Sequence, residues 1–274
     1  MTALNEKQRA YWNERFRQLW GLHGTGSATF GRQFNAWRYR VRRHVFRRAV
    51  RRLDLEFGAF AALDVGSGTG FYLREWRVLG AAQVCCLDIS DWALDRLARE
   101  CPSAEFIHAD IGAVGLAISA GRFDAVTAID VLTHVLDDGA YSRALANIHR
   151  ALKPGGHLLY TDSFFHGPGK RHEDYWRGRT LAEATEAIEA SGFEIVSRVP
   201  FSVLMSAPTD TRHRERNERL WEAVLRPFLG REWTGFLLGA VLYPAERALV
   251  RLLRESPAIE LMCCRKRGHE APTG

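Results

Sequence analysis

Apolar and polar positions change rhythm along this chain. Short β-rich apolar runs at 61–65, 83–88, 105–109, 123–129, 157–162, 194–199 and 259–265 read as seven strands. Segments of helical period lie between most of them, at 70–79, 91–100, 140–152 and 181–191. Ser90-Asp91, Lys153-Pro154-Gly155-Gly156 and Ser191-Gly192 open or close them. Strand and helix in alternation predict an α/β fold, a parallel sheet covered by helices.

Two regions break the alternation. In residues 1–55, Val41, Val45, Ala49 and Leu53 recur at a spacing of four with arginines between them, so this part is expected to be an N-terminal helical cap laid on a core domain at 56–274. Between 200 and 257 an insertion too long for a bare loop carries an Arg-rich helical stretch at 212–229 and a more apolar one at 232–253, expected to form a helical lid.

Charge and cysteine narrow the classes. The net charge of the 274 residues is +6, yet Arg38, Arg40, Arg42, Arg43, Arg47, Arg48, Arg51 and Arg52 alone carry more than that. So local a concentration argues against a general nucleic-acid-binding surface. Cys85, Cys86, Cys101, Cys263 and Cys264 include two adjacent pairs, which point to opposite faces of a strand and read as small buried hydrophobes of a reducing compartment. The first nine residues show no signal-peptide core, and the longest apolar stretch, 235–243, is far short of a membrane span. A soluble, cytoplasmic protein is expected, with peripheral membrane contact left open.

The chemistry gathers at strand ends. Leu63-Asp-Val-Gly-Ser-Gly-Thr-Gly70 follows a strand and opens a helix, where backbone must turn sharply and approach a ligand closely. Its third glycine comes one residue too early for a dinucleotide fingerprint, and no Gly-Lys-Ser/Thr ending marks a phosphate loop. Asp64 beside the turn disfavours phosphate and suits an ammonium group. Asp88, with Ile89, ends the second strand, where a carboxylate accepts both hydroxyls of a ribose. Asp110 at the third strand's end is placed to accept from an adenine amino group while Ile111 packs the ring. Together they outline an adenosine site on the carboxyl edge of a parallel sheet.

With Leu87-Asp-Ile-Ser90, His108-Ala-Asp-Ile111, Phe123-Asp-Ala-Val-Thr-Ala-Ile-Asp-Val-Leu-Thr-His-Val135 and Ala151-Leu-Lys-Pro-Gly-Gly-His-Leu-Leu159 in the same order and spacing, the chain resembles the class I S-adenosylmethionine-dependent methyltransferases, in particular the small-molecule group that looks like quinone-biosynthesis methyltransferases. The resemblance covers about 61–199 and the final strand. It implies a doubly wound, Rossmann-like sheet of order 3-2-1-4-5-7-6 with strand 7 antiparallel, and S-adenosylmethionine as methyl donor, leaving S-adenosylhomocysteine. It places Gly66, Ser67, Gly68 and Gly70 around the methionine part, Asp88 on the ribose, Asp110 and Ile111 at the adenine, and Ile129, Asp130 and Val131 beneath the sulfonium.

The acceptor side carries fewer marks. The fourth strand ends Ile129-Asp130-Val131-Leu132, without the Asn/Asp-Pro-Pro-aromatic sequence of nucleic-acid amino methyltransferases and without a Pro-Cys nucleophile. A small, apolar or lipid-like acceptor is expected, methylated on oxygen, nitrogen or carbon. His134, just past that strand, and His166, after the fifth, are the candidate bases. Trp37, Tyr39, Phe164 and Tyr175 are candidate walls of the acceptor pocket, because aromatic faces suit an apolar body and a nearby sulfonium. Asp130, Asp162 and Ser163 faintly resemble the set of Mg-dependent catechol methyltransferases, but Ser163 stands where that family has Asn, so no metal is expected. Two other readings keep the cofactor fold: cyclisation of a natural product, and a non-catalytic cofactor-binding regulator.

Overall fold

In the computed structural model, residues 3–172, 175–229 and 231–268 are described. The chain opens with α1 (Ala3–Gln18), the one-turn α2 (Leu22–Thr25), a 3-10 turn at Ala28–Phe30 and α3 (Gly31–Val50). Then follow β1 (Ala61–Val65), α4 (Phe71–Val78), β2 (Gln83–Asp88), α5 (Asp91–Glu100), β3 (Glu105–His108), β4 (Phe123–Ala128), α6 (Asp138–Ala151) and β5 (Leu152–Asp162). A short ribbon of β6 (Lys170–His172) and β7 (Trp176–Gly178) precedes α7 (Leu181–Ala190), β8 (Phe193–Ser202), α8 (Arg214–Leu229), α9 (Glu232–Leu252) and β9 (Ile259–Lys266).

Seven strands form one sheet in the order β3-β2-β1-β4-β5-β9-β8. With β8 and β9 as sixth and seventh, this is the expected 3-2-1-4-5-7-6, and β9 runs antiparallel to both neighbours. The sheet is covered on both faces, so β1 is buried at all five positions and, Asp64 apart, reads as an apolar run rather than an alternating one. Pleating still sorts the side chains. Ala62, Cys86 and Cys263 join the core formed with α3, α4 and α9, while Leu63, Cys85 and Cys264 join the one formed with α6 and α7. All five cysteines are buried free thiols, and each adjacent pair is split across the sheet.

Helix starts follow local chemistry. Ser90 and Asp137 accept from backbone N–H groups three residues on, and Thr180 with Glu183 closes a capping box on α7. Strand β5 starts at Leu152, five residues before the expected position, because the Lys153-Pro-Gly-Gly turn stays paired through Leu152 opposite Phe123 across a bulge. The ribbon β6–β7 was not expected. The insertion is helical as expected, but α9 packs along α3: Phe34 and Trp37 meet it at Gly235 and Gly239, and a Cβ on Gly239 would lie 2.2 Å from the Trp37 ring. The carboxylate of Glu232 accepts from the N–H groups of Arg32 and Gln33 at the start of α3.

Candidate active site

The glycine turn is fixed by its own backbone. Gly66 N–H donates to the Leu87 carbonyl at 2.7 Å, and Gly66 and Gly68 sit at φ +67° and +50°, left-handed values that side chains rarely adopt. A Cβ at Gly66 would come within 2.2 Å of Val131, and one at Gly68 within 2.5 Å of Thr25. Close approach therefore demands glycine at both.

Asp88 is held by two backbone donors, Gly68 N–H and Ser90 N–H, both at 2.8 Å. Burial pushes its carboxyl up, against the pull of those same hydrogen bonds. Each carboxylate oxygen has further lone pairs, and Asp88 lines a cavity at the carboxyl ends of the strands. Gly66, Ser67, Gly68, Ile89, Asp110, Ile111, Ile129, Asp130, Val131 and His134 line it too. Two expected cofactor residues do not. Gly70 meets Leu97 on α5, and Asp64 turns toward Thr127, whose hydroxyl donates to it at 2.8 Å. Asp64 is 1 % exposed, its second oxygen has no partner among the described residues, and burial raises it to about 7.

The other wall comes from the N-terminal helices. Gln8, Trp12 and Phe16 of α1, Thr25 of α2 and Tyr39 of α3 complete the lining, and the Tyr39 hydroxyl donates to Thr25 at 2.9 Å. None of the first four was named as a site residue from the sequence.

A second cavity opens beside the first and shares Trp12, Thr25, Asp130 and His134 with it. Its own lining includes Tyr11, Phe30, Arg38, Arg42, Asp162, Ser163, Tyr175 and Trp176. His134 stands at the junction. Its Nδ1 is 2.7 Å from the Tyr175 carbonyl, which can only accept, so Nδ1 carries the proton and Nε2 keeps its lone pair. Its ring sits edge-on to Trp12 and Tyr175, and burial holds it below the ordinary histidine range, against the opposing pull of the Tyr175 carbonyl.

Three further groups give this cavity its polarity. Asp162 accepts from Ser163 N–H at 2.7 Å, leaves its second oxygen without a partner among the described residues, and is raised by burial to about 7. Arg42 forms an ion pair with Asp130, a residue held at φ +57° whose other oxygen accepts from Thr161. Burial pushes Asp130 up, but the charge and hydrogen bond of Arg42 outweigh it and hold the carboxyl below its usual range. Arg38 reaches Ser206 and Asn35, with burial and then Arg42 lowering it to about 10. Asp130 and Asp162, the carboxylates of the faint metal resemblance, thus face a guanidinium and a backbone N–H respectively. Among the described residues, no cluster of three or more His, Cys, Asp or Glu side chains is placed to hold a metal.

Other sequence candidates fall elsewhere. His166 lies in a separate crevice, bonded through Nδ1 to Asp210 at 2.6 Å, and that bond raises it. Phe164 is fully buried against Tyr160, and Trp37 packs on Phe236 and Tyr243 of α9, so neither lines the two cavities. Among the described residues, helices α8 and α9 line neither, and from the insertion only the loop after β8 reaches the second cavity, through Ser206, Ala207 and Thr209.

Comparison with known proteins agrees with this architecture. Residues 62–156 match the family model of a methyltransferase domain. Residues 62–156 thus carry a methyltransferase domain. The cofactor of such domains is S-adenosylmethionine, and the lining fits it: a glycine cradle, a carboxylate at the end of β2 and aromatic faces around the cavity. A ubiquinone biosynthesis O-methyltransferase of Xanthomonas axonopodis pv. citri is 37 % identical over 109 residues, 38 % of this chain and 44 % of that protein. The chain therefore spans less than half the length of such relatives. Among solved structures, the 1,6-didemethyltoxoflavin-N1-methyltransferase of Burkholderia thailandensis, with bound 1,6-didemethyltoxoflavin and S-adenosylhomocysteine, shares the fold at TM-score 0.52 and 18 % identity, over 97 % of this chain and 92 % of that one. The [4+2]-cyclase SpnF shares it at TM-score 0.52 and 22 % identity, over 82 % and 81 %.

Proposed function

We propose that this chain transfers a methyl group from S-adenosylmethionine to a small acceptor with an aromatic or apolar body and an ionisable hydroxyl or amine. The observation that carries the reading is the pair of adjoining cavities meeting at Asp130 and His134. In this reading Gly66, Ser67 and Gly68 admit the methionine part, Asp88 accepts the ribose hydroxyls, Asp110 and Ile111 hold the adenine, and Ile129 to Val131 form the floor. When bound, the cofactor supplies an electrophilic methyl on a positively charged sulfur.

Displacement at that carbon is in-line, so alignment and exclusion of water are the protein's main work. Tyr11, Trp12, Tyr175 and Trp176 sandwich the acceptor body and keep water out. Asp162, ionising near neutrality, hydrogen-bonds the acceptor's polar group and orients it. His134, with Nδ1–H on Tyr175, takes the acceptor's proton at Nε2. Arg42 holds Asp130 fixed where the two cavities join.

The test is incubation of the purified chain with labelled S-adenosylmethionine and a cell extract, followed by mass analysis. A product heavier by one methylene supports the proposal. Because a cyclase shares this fold, fold does not fix the reaction; a product of unchanged mass would replace methyl transfer by cyclisation. Cofactor binding without turnover on any acceptor would point to a regulator instead.

A further inference from the structure

The basic cluster on α3 is only partly used by the site. Arg38 and Arg42 face inward, whereas six arginines between Arg40 and Arg52 line a surface groove together with His44, and with Tyr243 and Arg251 from α9. Among the described residues, no carboxylate lines this groove. Glu75, buried beneath it, takes Arg43 and Arg47 as partners, leaving a large positive excess. Burial, and then Arg247, Arg251, Arg48 and Arg51, hold His44 below the ordinary histidine range, in keeping with that excess.

Alongside the groove, α9 turns an apolar stripe to solvent. Trp233, Phe236, Leu237, Val241 and Leu252 are exposed, Val241 by 75 % and Leu252 by 78 %. Their spacing sets them on the side of the helix opposite Gly235, Gly239 and Glu246, which are buried. Arg247 and Arg251 stand in the last turns of the same helix, and Arg251 Nε meets His44 of α3 at 3.1 Å. The neighbouring α8 exposes Leu220, Val224 and Phe228 at a spacing of four. Such a contiguous exposed apolar patch marks an interaction surface.

We infer that the α3–α9 face docks on an anionic lipid bilayer, the α9 stripe entering the headgroup boundary while the arginine groove binds lipid phosphates. Charge and apolarity together select this occupant. A second copy meeting the same face would bring two uncompensated arginine grooves together. A nucleic acid would leave the aliphatic stripe unused. The inference stands apart from the identity of the methyl acceptor, since it concerns a face that lines neither cavity.

Cosedimentation of the full chain with vesicles tests it, using pure phosphatidylcholine against phosphatidylcholine containing about one quarter phosphatidylglycerol. Binding to the anionic vesicles alone, weakened by salt, is expected. Arg51→Ala/Arg52→Ala/Arg251→Ala should weaken it about a hundredfold, roughly fivefold per arginine. Trp233→Ser/Leu237→Ser/Val241→Ser should weaken it at least about tenfold. Both sets lie on exposed positions, and circular dichroism checks that they fold. No binding of the wild type to anionic vesicles overturns the inference. So does binding that the apolar triple leaves unchanged, which would make the groove a simple polyanion site. A dimer in light scattering that the apolar triple dissolves, without vesicle binding, would assign the face to a second copy and likewise overturn it.

Discussion

Gly66→Ala tests the cradle where the structure is most exacting. Alanine there must hold φ +67°, at about 1–2 kcal/mol for a left-handed residue with a Cβ. The added methyl would also lie 2.2 Å from Val131 Cγ2 and 3.2 Å from Cγ1. Valine is stiff at χ1 and cannot swing its methyls clear cheaply, so overpacking adds about 1–3 kcal/mol. The sum, about 2–5 kcal/mol, is a large part of the stability of an ordinary domain and should lower Tm by on the order of 10 °C. The two terms separate in a double-mutant cycle. Val131→Ala removes the clash but not the backbone strain, so Gly66→Ala/Val131→Ala should recover about 1–3 kcal/mol relative to additivity. Denaturant unfolding reads the cycle, and calorimetry with S-adenosylhomocysteine reads the pocket, where Gly66→Ala alone should bind at least about tenfold more weakly. Additive effects, or a loss below about 0.5 kcal/mol for the single change, would refute the cradle geometry.

Arg42→Met should cost about 1–3 kcal/mol at pH 7 by denaturant unfolding, less than a fully buried pair because Asp130 is a third exposed. Since Arg42 holds Asp130 low, that loss should shrink as pH falls below about 4, and Asp130→Asn should relieve most of it. Asp64 and Asp162, both raised to about 7, keep their protons in the folded state where the unfolded chain has lost them. Their contribution to stability is greatest below their ordinary carboxyl range and is lost as pH rises toward 7. Cofactor-free stability should therefore fall between about pH 5 and 7, by up to about 1.4 kcal/mol per pH unit for each carboxyl, and Asp64→Asn or Asp162→Asn should flatten the slope. His134→Ala should lower kcat by about a hundredfold or more, and His166→Ala should leave methyl transfer unchanged; a radiolabel transfer assay with S-adenosylmethionine reads both, and the reverse ranking would move the proton acceptor to the other crevice.

The sheet was legible because parallel strands buried on both faces must be nearly all apolar, so 61–65 or 123–128 cannot be mistaken for a half-solvated strand. The glycine turn was legible because left-handed backbone at Gly66 and Gly68 leaves a mark in residue type. Asp64 shows the limit of that signal. It stands within the motif, yet strand pleating sends it to Thr127 and away from the cavity. The ribbon β6–β7 left no pattern at all, being three residues on each side with no apolar alternation, although it delivers the carbonyl that fixes the tautomer of His134.

Arg38 and Arg42 are more instructive, because their burial was readable and charge obscured it. Phe34, Arg38, Val41, Arg42 and Val45 recur at three and four residues on one side of α3, so both arginines occupy positions of the buried face. A guanidinium tolerates such a place only with partners, and Arg42 finds one in Asp130, at the tip of β4 where the two cavities join. Residues 1–55 therefore contribute to the lining of both cavities. Thr25 packs over Gly68, Trp12 and Phe16 wall the first cavity, and Arg42 neutralises a carboxylate that the core domain holds at positive φ. The strand ends supply the floor of the first cavity, and the three N-terminal helices supply its opposite wall.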